Sequence, residues 1–192
     1  MSRKFTLGDW VSTKTENWTN WLSQYASVPS VHALEIGSCE GRSTCWFIDN
    51  ILTGRDSFIT CVDPWVPPYS GEHIYKIFKN NISGLRVNVM KETSYSALPK
   101  LMNIDSRFDF IYVDGDHEAR VLMFDLCASF EMLKNGGVMI IDDYDWCDES
   151  VKIPPRPAID SWLYMNKNVI KKSLITDKIN KPEYVQQAVV WK

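Results

Sequence analysis

Short apolar runs alternate with amphipathic stretches along most of this chain, and that alternation predicts its elements. Trp18, Trp21, Leu22 and Tyr25 recur at helical spacing, which predicts an amphipathic helix over 17–25 that covers a sheet. Apolar runs then predict strands at 33–36, 58–62, 85–90, 108–113 and 138–141. Between them, periodic stretches predict helices at 43–52, 73–80, 97–102 and 119–133, with a Pro/Gly-rich loop from Pro64 to Gly71. The Gly136-Gly137 pair is expected to end the last of these helices, and the fully apolar run after it reads as a strand buried on both faces. Strands that alternate with helices imply a parallel, doubly wound α/β sheet. The ending differs. Pro154, Pro155 and Pro157 open a short helix at 158–164, and 169–175 and 187–191 read as two strands joined through an Asn180-Lys181-Pro182 turn.

Composition changes this picture little. At 192 residues the chain fits a single domain, a helical cover over 1–30 and a Rossmann-like core over 31–192. A hydrophobic share of 45% with 23% charged residues is that of a globular protein, and no apolar run reaches the roughly 20 residues of a membrane span. The stretch Met1 to Asp9 lacks the apolar core of a signal peptide, so a cytoplasmic location is expected. Five cysteines, an odd number without a Cys-x-x-Cys pair, argue against a disulfide framework or a cysteine-built zinc site. A net charge of −3 gives no electrostatic footprint for nucleic acid, and neither nucleic acid nor membrane is expected as a partner.

The candidate chemistry begins at Ala33-Leu34-Glu35-Ile36-Gly37-Ser38-Cys39-Glu40-Gly41-Arg42-Ser43-Thr44, a strand that runs into a glycine-punctuated turn, with Asp63 closing the second strand. Glycines let backbone approach a ligand, the following helix offers free N–H groups, and an acid about 20 residues on can hold a ribose diol. A dinucleotide fingerprint needs a third glycine that this loop lacks. The stretch resembles motif I of the class I S-adenosylmethionine-dependent methyltransferases. That resemblance implies a sheet of order 3-2-1-4-5-7-6 that ends in a hairpin. It also implies that Glu35 and Gly37 line the methionine end of the cofactor and that Asp63 takes the ribose hydroxyls. Ser38, Gly41, Ser43 and Thr44 complete the expected cradle; Ser94 matches the family position near the adenine, and Trp65 is placed to cover a ring face.

In an open α/β sheet the ligand lies beyond the carboxyl ends of the strands, where this chain carries its acids. Strand 4 ends in Asp114-Gly115-Asp116-His117 and strand 5 in Asp142-Asp143-Tyr144. Carboxylates that converge on one crevice share a proton or hold a hard divalent cation. The runs Phe108 to His117 and Gly136 to Tyr144 look like those of the macrocin and novobiocin sugar O-methyltransferases, and more distantly like the caffeoyl-CoA and catechol O-methyltransferases. By that resemblance Asp114, Asp142 and Asp143 hold magnesium, Asp114 also bordering the cofactor, and Asp116 is the base. His117 is a rival base, with an ordinary pKa near 6.5 that suits neutral pH.

Each of these residues also has a plainer use. Ser43 and Thr44 can cap a helix, Asp116 and His117 can cap the helix near Ala119, and Asp142 and Asp143 can end a strand as solvated acids. His32 and His73 have no partner pattern, and Trp162, Trp191 and the cysteines read as packing. The function expected is an S-adenosylmethionine-dependent O-methyltransferase acting on a hydroxyl of a small molecule, sugars among them, with divalent-metal assistance. Its rivals are a nicotinamide-dependent oxidoreductase, disfavoured by the missing glycine and the terminal hairpin, and a cofactor-binding protein without turnover.

Overall fold

The computed structural model describes residues 3–67, 71–149, 151–176 and 186–192. Seven strands form a sheet of order β3-β2-β1-β4-β5-β7-β6: β1 His32–Ile36, β2 Phe58–Val62, β3 Val87–Met90, β4 Phe108–Val113, β5 Leu133–Ile141, β6 Lys172–Ile175 and β7 Ala188–Trp191. The helices are α1 Thr15–Leu22, α2 Arg42–Asn50, α3 Glu72–Asn81, α4 Ser94–Asn103, α5 Ala119–Met132 and α6 Pro155–Asn166. This is the doubly wound α/β fold that the alternating pattern implies. Contacts gather the chain into two units, 1–93 and 94–192. Among the described residues, no helix is long and apolar enough to cross a membrane.

In the first unit β1 and β2 pair in parallel with Glu35 opposite Cys61, and β2 pairs in parallel with β3. Both strands are buried along nearly their whole length, as expected of parallel strands covered by helices on each face. Trp18 of α1 stacks on Phe47 of α2 with ring centroids 4.8 Å apart, so the tryptophan stripe is a packing stripe. The helix that carries it is shorter than the periodicity implies, because the chain tightens into a 3₁₀ turn at Ser23–Tyr25.

In the second unit β4 and β5 run parallel, and β7 lies antiparallel between β5 and β6, which is the expected hairpin. The Asn180-Lys181-Pro182 turn, and Pro68 to Ser70 of the Pro64 to Gly71 loop, lie outside the described residues. One expectation fails here. Gly136-Gly137 does not end α5, which stops at Met132; both glycines lie within β5. Phe108 pairs with Leu133 but Phe110 pairs with Val138, so β5 carries an irregularity between those pairs. Lys134 within it ion-pairs with Asp109 at 2.8 Å. A Cβ on Gly137 would stand 2.8 and 2.9 Å from the carbonyl oxygens of Lys134 and Asp109, so this irregularity, and not a helix stop, requires the glycine. The last helix is also longer than expected, with Pro154 just outside it and Pro155 at its first position, where a missing N–H costs nothing.

Candidate active site

In the first unit, the candidate cofactor cradle is the turn between β1 and α2. Gly37 (φ +85°) and Gly41 (φ +78°) hold left-handed backbone, and a Cβ on Gly41 would meet Phe78 Cδ2 at 2.8 Å. Asp63 braces the turn from the end of β2. Its Oδ2 accepts the backbone N–H groups of Ser38 (3.0 Å) and Cys39 (2.9 Å), and its Oδ1 accepts that of Trp65 (2.6 Å). Burial pushes the Asp63 carboxyl up against the pull of these three donors. A carboxylate offers about four acceptor sites, so one remains open to a further donor.

Glu35 lies beneath the turn. It is fully buried in the middle of the sheet, where an unpaired carboxylate would be prohibitive. It accepts hydrogen bonds from Ser43 Oγ (2.6 Å), Ser38 Oγ (2.8 Å), the Thr44 hydroxyl and, across the β1–β2 pair, Cys61 Sγ (3.3 Å). Burial still wins, and the Glu35 pKa stands above the ordinary carboxylate value. Glu35 therefore holds the turn together from beneath, and Ser43 and Thr44 spend their hydroxyls on it. Trp65 is also interior: it is 2% exposed, packs on Tyr75 and Phe78, and donates its indole N–H to the Cys39 carbonyl at 2.8 Å. It forms the back wall of the turn.

In the second unit, a separate cluster of acids lies at the ends of β4 and β5. Tyr112 near the end of β4 and Asp114 just beyond it are two apart, as are Ile140 of β5, which pairs with Tyr112, and Asp142 just beyond β5, a spacing that puts each pair on one face. The buried Tyr112 hydroxyl lies 2.9 Å from Asp114 Oδ2 and bonds Asp142 as well. Burial, then the charges of those two acids, push its phenol well above the usual value. Asp142 is 2% exposed; its other oxygen accepts the Asp143 backbone N–H at 2.9 Å. Asp143, in left-handed backbone (φ +58°), turns its carboxylate the other way, onto His117 Nε2 at 2.7 Å. The imidazole lies against Trp146, ring centroids 4.2 Å apart. Burial lowers the His117 pKa, but the hydrogen bond to Asp143 and the charges of Asp143, Asp116 and Asp142 outweigh it and leave the pKa raised.

Of the expected metal set the structure brings Asp114 and Asp143 together with His117: one ligand atom from each lies within 4.8 Å of the others. Asp142 stands behind them. Two carboxylates and an imidazole at that spacing fit a divalent cation, and the nitrogen donor widens the choice from magnesium to manganese or zinc. Asp116 is exposed and accepts the Glu118 backbone N–H at 2.8 Å, which is its plainer, turn-forming use at the start of α5. Ser94 is buried at the start of α4, where its hydroxyl and the charge of Asp116 bear on Asp125 of α5. Tyr112 and Trp146 were not among the expected residues. The spacing of two between Tyr112 and Asp114 was a usable signal for the first; Trp146 had none.

A sheet of this order, with a glycine turn and a bracing acid at the ends of its first two strands, defines the class I methyltransferase fold. The chain belongs to the methyltransferase-domain family, which matches residues 34–144, from β1 through the acids after β5. Among solved structures it resembles an O-methyltransferase from Bacillus cereus in complex with S-adenosylhomocysteine (TM-score 0.72, 20% identity, 97% of this chain and 84% of that one). It also resembles the O-methyltransferase TomG of tomaymycin synthesis from Streptomyces achromogenes in complex with S-adenosylmethionine (0.70, 15%, 94% and 80%). An rRNA methylase from Streptococcus thermophilus shares the fold as well (0.68, 9%, 93% and 95%). An uncharacterised protein of Acanthamoeba polyphaga mimivirus is 28% identical over 114 residues; these are 58% of this chain, which spans half the length of that relative.

Proposed function

We propose that this protein is an S-adenosylmethionine-dependent O-methyltransferase that methylates a hydroxyl of a small molecule, sugars among them. The observation that carries the reading is His117 held by Asp143 beside Asp114, a base at the strand ends of a methyltransferase fold. The bound cofactor would supply an electrophilic methyl on a sulfonium. The residues that would hold it are Gly37, Ser38 and Gly41, through backbone, and Asp63, through its remaining acceptor site. Asp143 fixes the proton of His117 on Nε2, which leaves Nδ1 as the basic nitrogen to take the proton of an acceptor hydroxyl. The net charge of −3 favours a small acceptor over RNA, although an rRNA methylase shares the fold.

A second use of the same cluster is supported by its donor set. A cation held by Asp114, His117 and Asp143 would act as a Lewis acid that lowers the pKa of the acceptor hydroxyl. Transfer of labelled methyl from S-adenosylmethionine to a panel of sugars and phenols, with and without EDTA, separates the two. Loss of transfer with EDTA and recovery with magnesium or manganese selects the cation. EDTA-resistant transfer that Asp143→Asn weakens selects the His117–Asp143 base, and no transfer to any hydroxyl contradicts the O-methyl reading.

A further inference from the structure

Glu40 sits inside the Gly37–Gly41 turn, yet its side chain leaves the turn for the N-terminal segment. Its carboxylate accepts the backbone N–H groups of Thr6 (2.8 Å) and Leu7 (3.1 Å) and the Thr6 hydroxyl. The residues on either side reinforce the link. The Asn81 amide takes the Lys4 N–H at 2.8 Å and donates to the carbonyls of Lys4 and Glu40, both at 2.9 Å. Arg42 donates to the Leu7 carbonyl at 3.3 Å and lies 4.3 Å over the Phe5 ring. Beneath this segment the packing is open: a cavity of about 200 Å³ lies between it and α2, bordered by Arg3, Phe5, Val11, Arg42 and Trp46. Hydrogen bonds to the turn and to Asn81 at the end of α3 thus hold residues 4–7 in place, and Glu40, only 4% exposed, accepts three of them.

The same turn is anchored on its other side, where Ser38 and Cys39 donate to Asp63 and Gly41 N–H reaches the Ser38 carbonyl at 2.6 Å. A short turn gripped from both sides cannot shift at one grip without moving the other. We propose that residues 4–7 form a strap that sets the cofactor turn, with Glu40 the positioning residue that links strap docking to cofactor binding. The proposal rests on the cofactor reading above. Linkage is reciprocal: a ligand favoured by the docked strap must itself favour docking.

The test uses S-adenosylhomocysteine on the full chain, read by calorimetric affinity and by amide hydrogen exchange at Thr6 and Leu7. The ligand is expected to slow exchange at both amides of the wild type at least fivefold. Glu40→Ala is expected to weaken affinity at least fivefold and Glu40→Gln, which keeps an acceptor oxygen, to recover most of it. A Glu40→Ala chain that does not fold leaves the decision with Thr6→Pro, which removes two donors from an exposed position and is expected to weaken affinity by the same factor. Wild-type binding with unchanged exchange, or with unchanged affinity in Glu40→Ala (in Thr6→Pro where Glu40→Ala does not fold), overturns the strap alone. No wild-type binding overturns the cofactor reading, and the strap's role falls with it.

Discussion

At the residue scale, the buried acids decide most. Glu35 replaced by alanine would leave the hydroxyls of Ser38, Ser43 and Thr44 without an acceptor inside the sheet. Hydrogen bonds to a charged group are worth about 1.5–3 kcal/mol each, and some of that returns as hydroxyls find other partners, so Glu35→Ala should cost roughly 3 kcal/mol in urea unfolding. Glu35→Gln keeps an acceptor oxygen and should cost less than half as much. Asp125 is the opposite case. It is 1% exposed, neither oxygen makes a well-formed hydrogen bond, and burial raises its pKa from 3.8 to about 7. A folded-state pKa above the unfolded one means that the native chain holds the extra proton between pH 4 and 7, so this group's contribution to stability falls as pH rises through that window, by up to about 4 kcal/mol. Asp125→Asn should remove that decline, which paired unfolding curves at pH 5 and pH 8 would show; an equal decline in both chains would contradict it. The places of Gly37 in a turn and of Asp63 and the strand-end acids just beyond their strands were legible in sequence, because a turn and a strand end leave one place for them. The inward turn of Glu35 was not, since its partners at 38, 43, 44 and 61 converge only once α2 and β2 have packed.

At the element scale, the strand cores were legible and their ends were not. β2 and β4 run over the residues that their apolar patterns imply, because a buried parallel strand needs an unbroken apolar run. The start of β5 was misread, because a glycine pair after a helix carries the same sequence signal whether it caps the helix or relieves a crowded strand. The two uses respond differently to mutation. A cap glycine needs its left-handed backbone, whereas Gly137 needs the space that a Cβ would take from two carbonyl oxygens. Gly137→Ala should therefore destabilise the chain by about 1–3 kcal/mol, the range of an overpacked site, as measured by thermal unfolding. Gly136→Ala meets no neighbour but must hold φ +82°, so its cost should be nearer 1 kcal/mol.

At the scale of the whole molecule, the sheet order and the methyltransferase family were readable from two motifs and an ending, while the pairing of His117 with Asp143 needed the structure. That pairing sets a pH dependence. The His117 pKa is raised, so a base on this residue stays protonated to a higher pH than a free imidazole would, and the rate of methyl transfer should rise with pH through a value above 6.5. Asp143→Asn removes the charge that raises it and should move this limb toward acid while it lowers the maximum rate. The central claim, that the turn after β1 and the acid after β2 hold S-adenosylmethionine, is tested most directly by calorimetric titration of the full chain with S-adenosylhomocysteine, Asp63→Ala alongside. Saturable binding that weakens by about 10- to 100-fold in the variant, as loss of a charge-assisted hydrogen bond implies, is the predicted result. Tight binding of NADH with none of S-adenosylhomocysteine would contradict it.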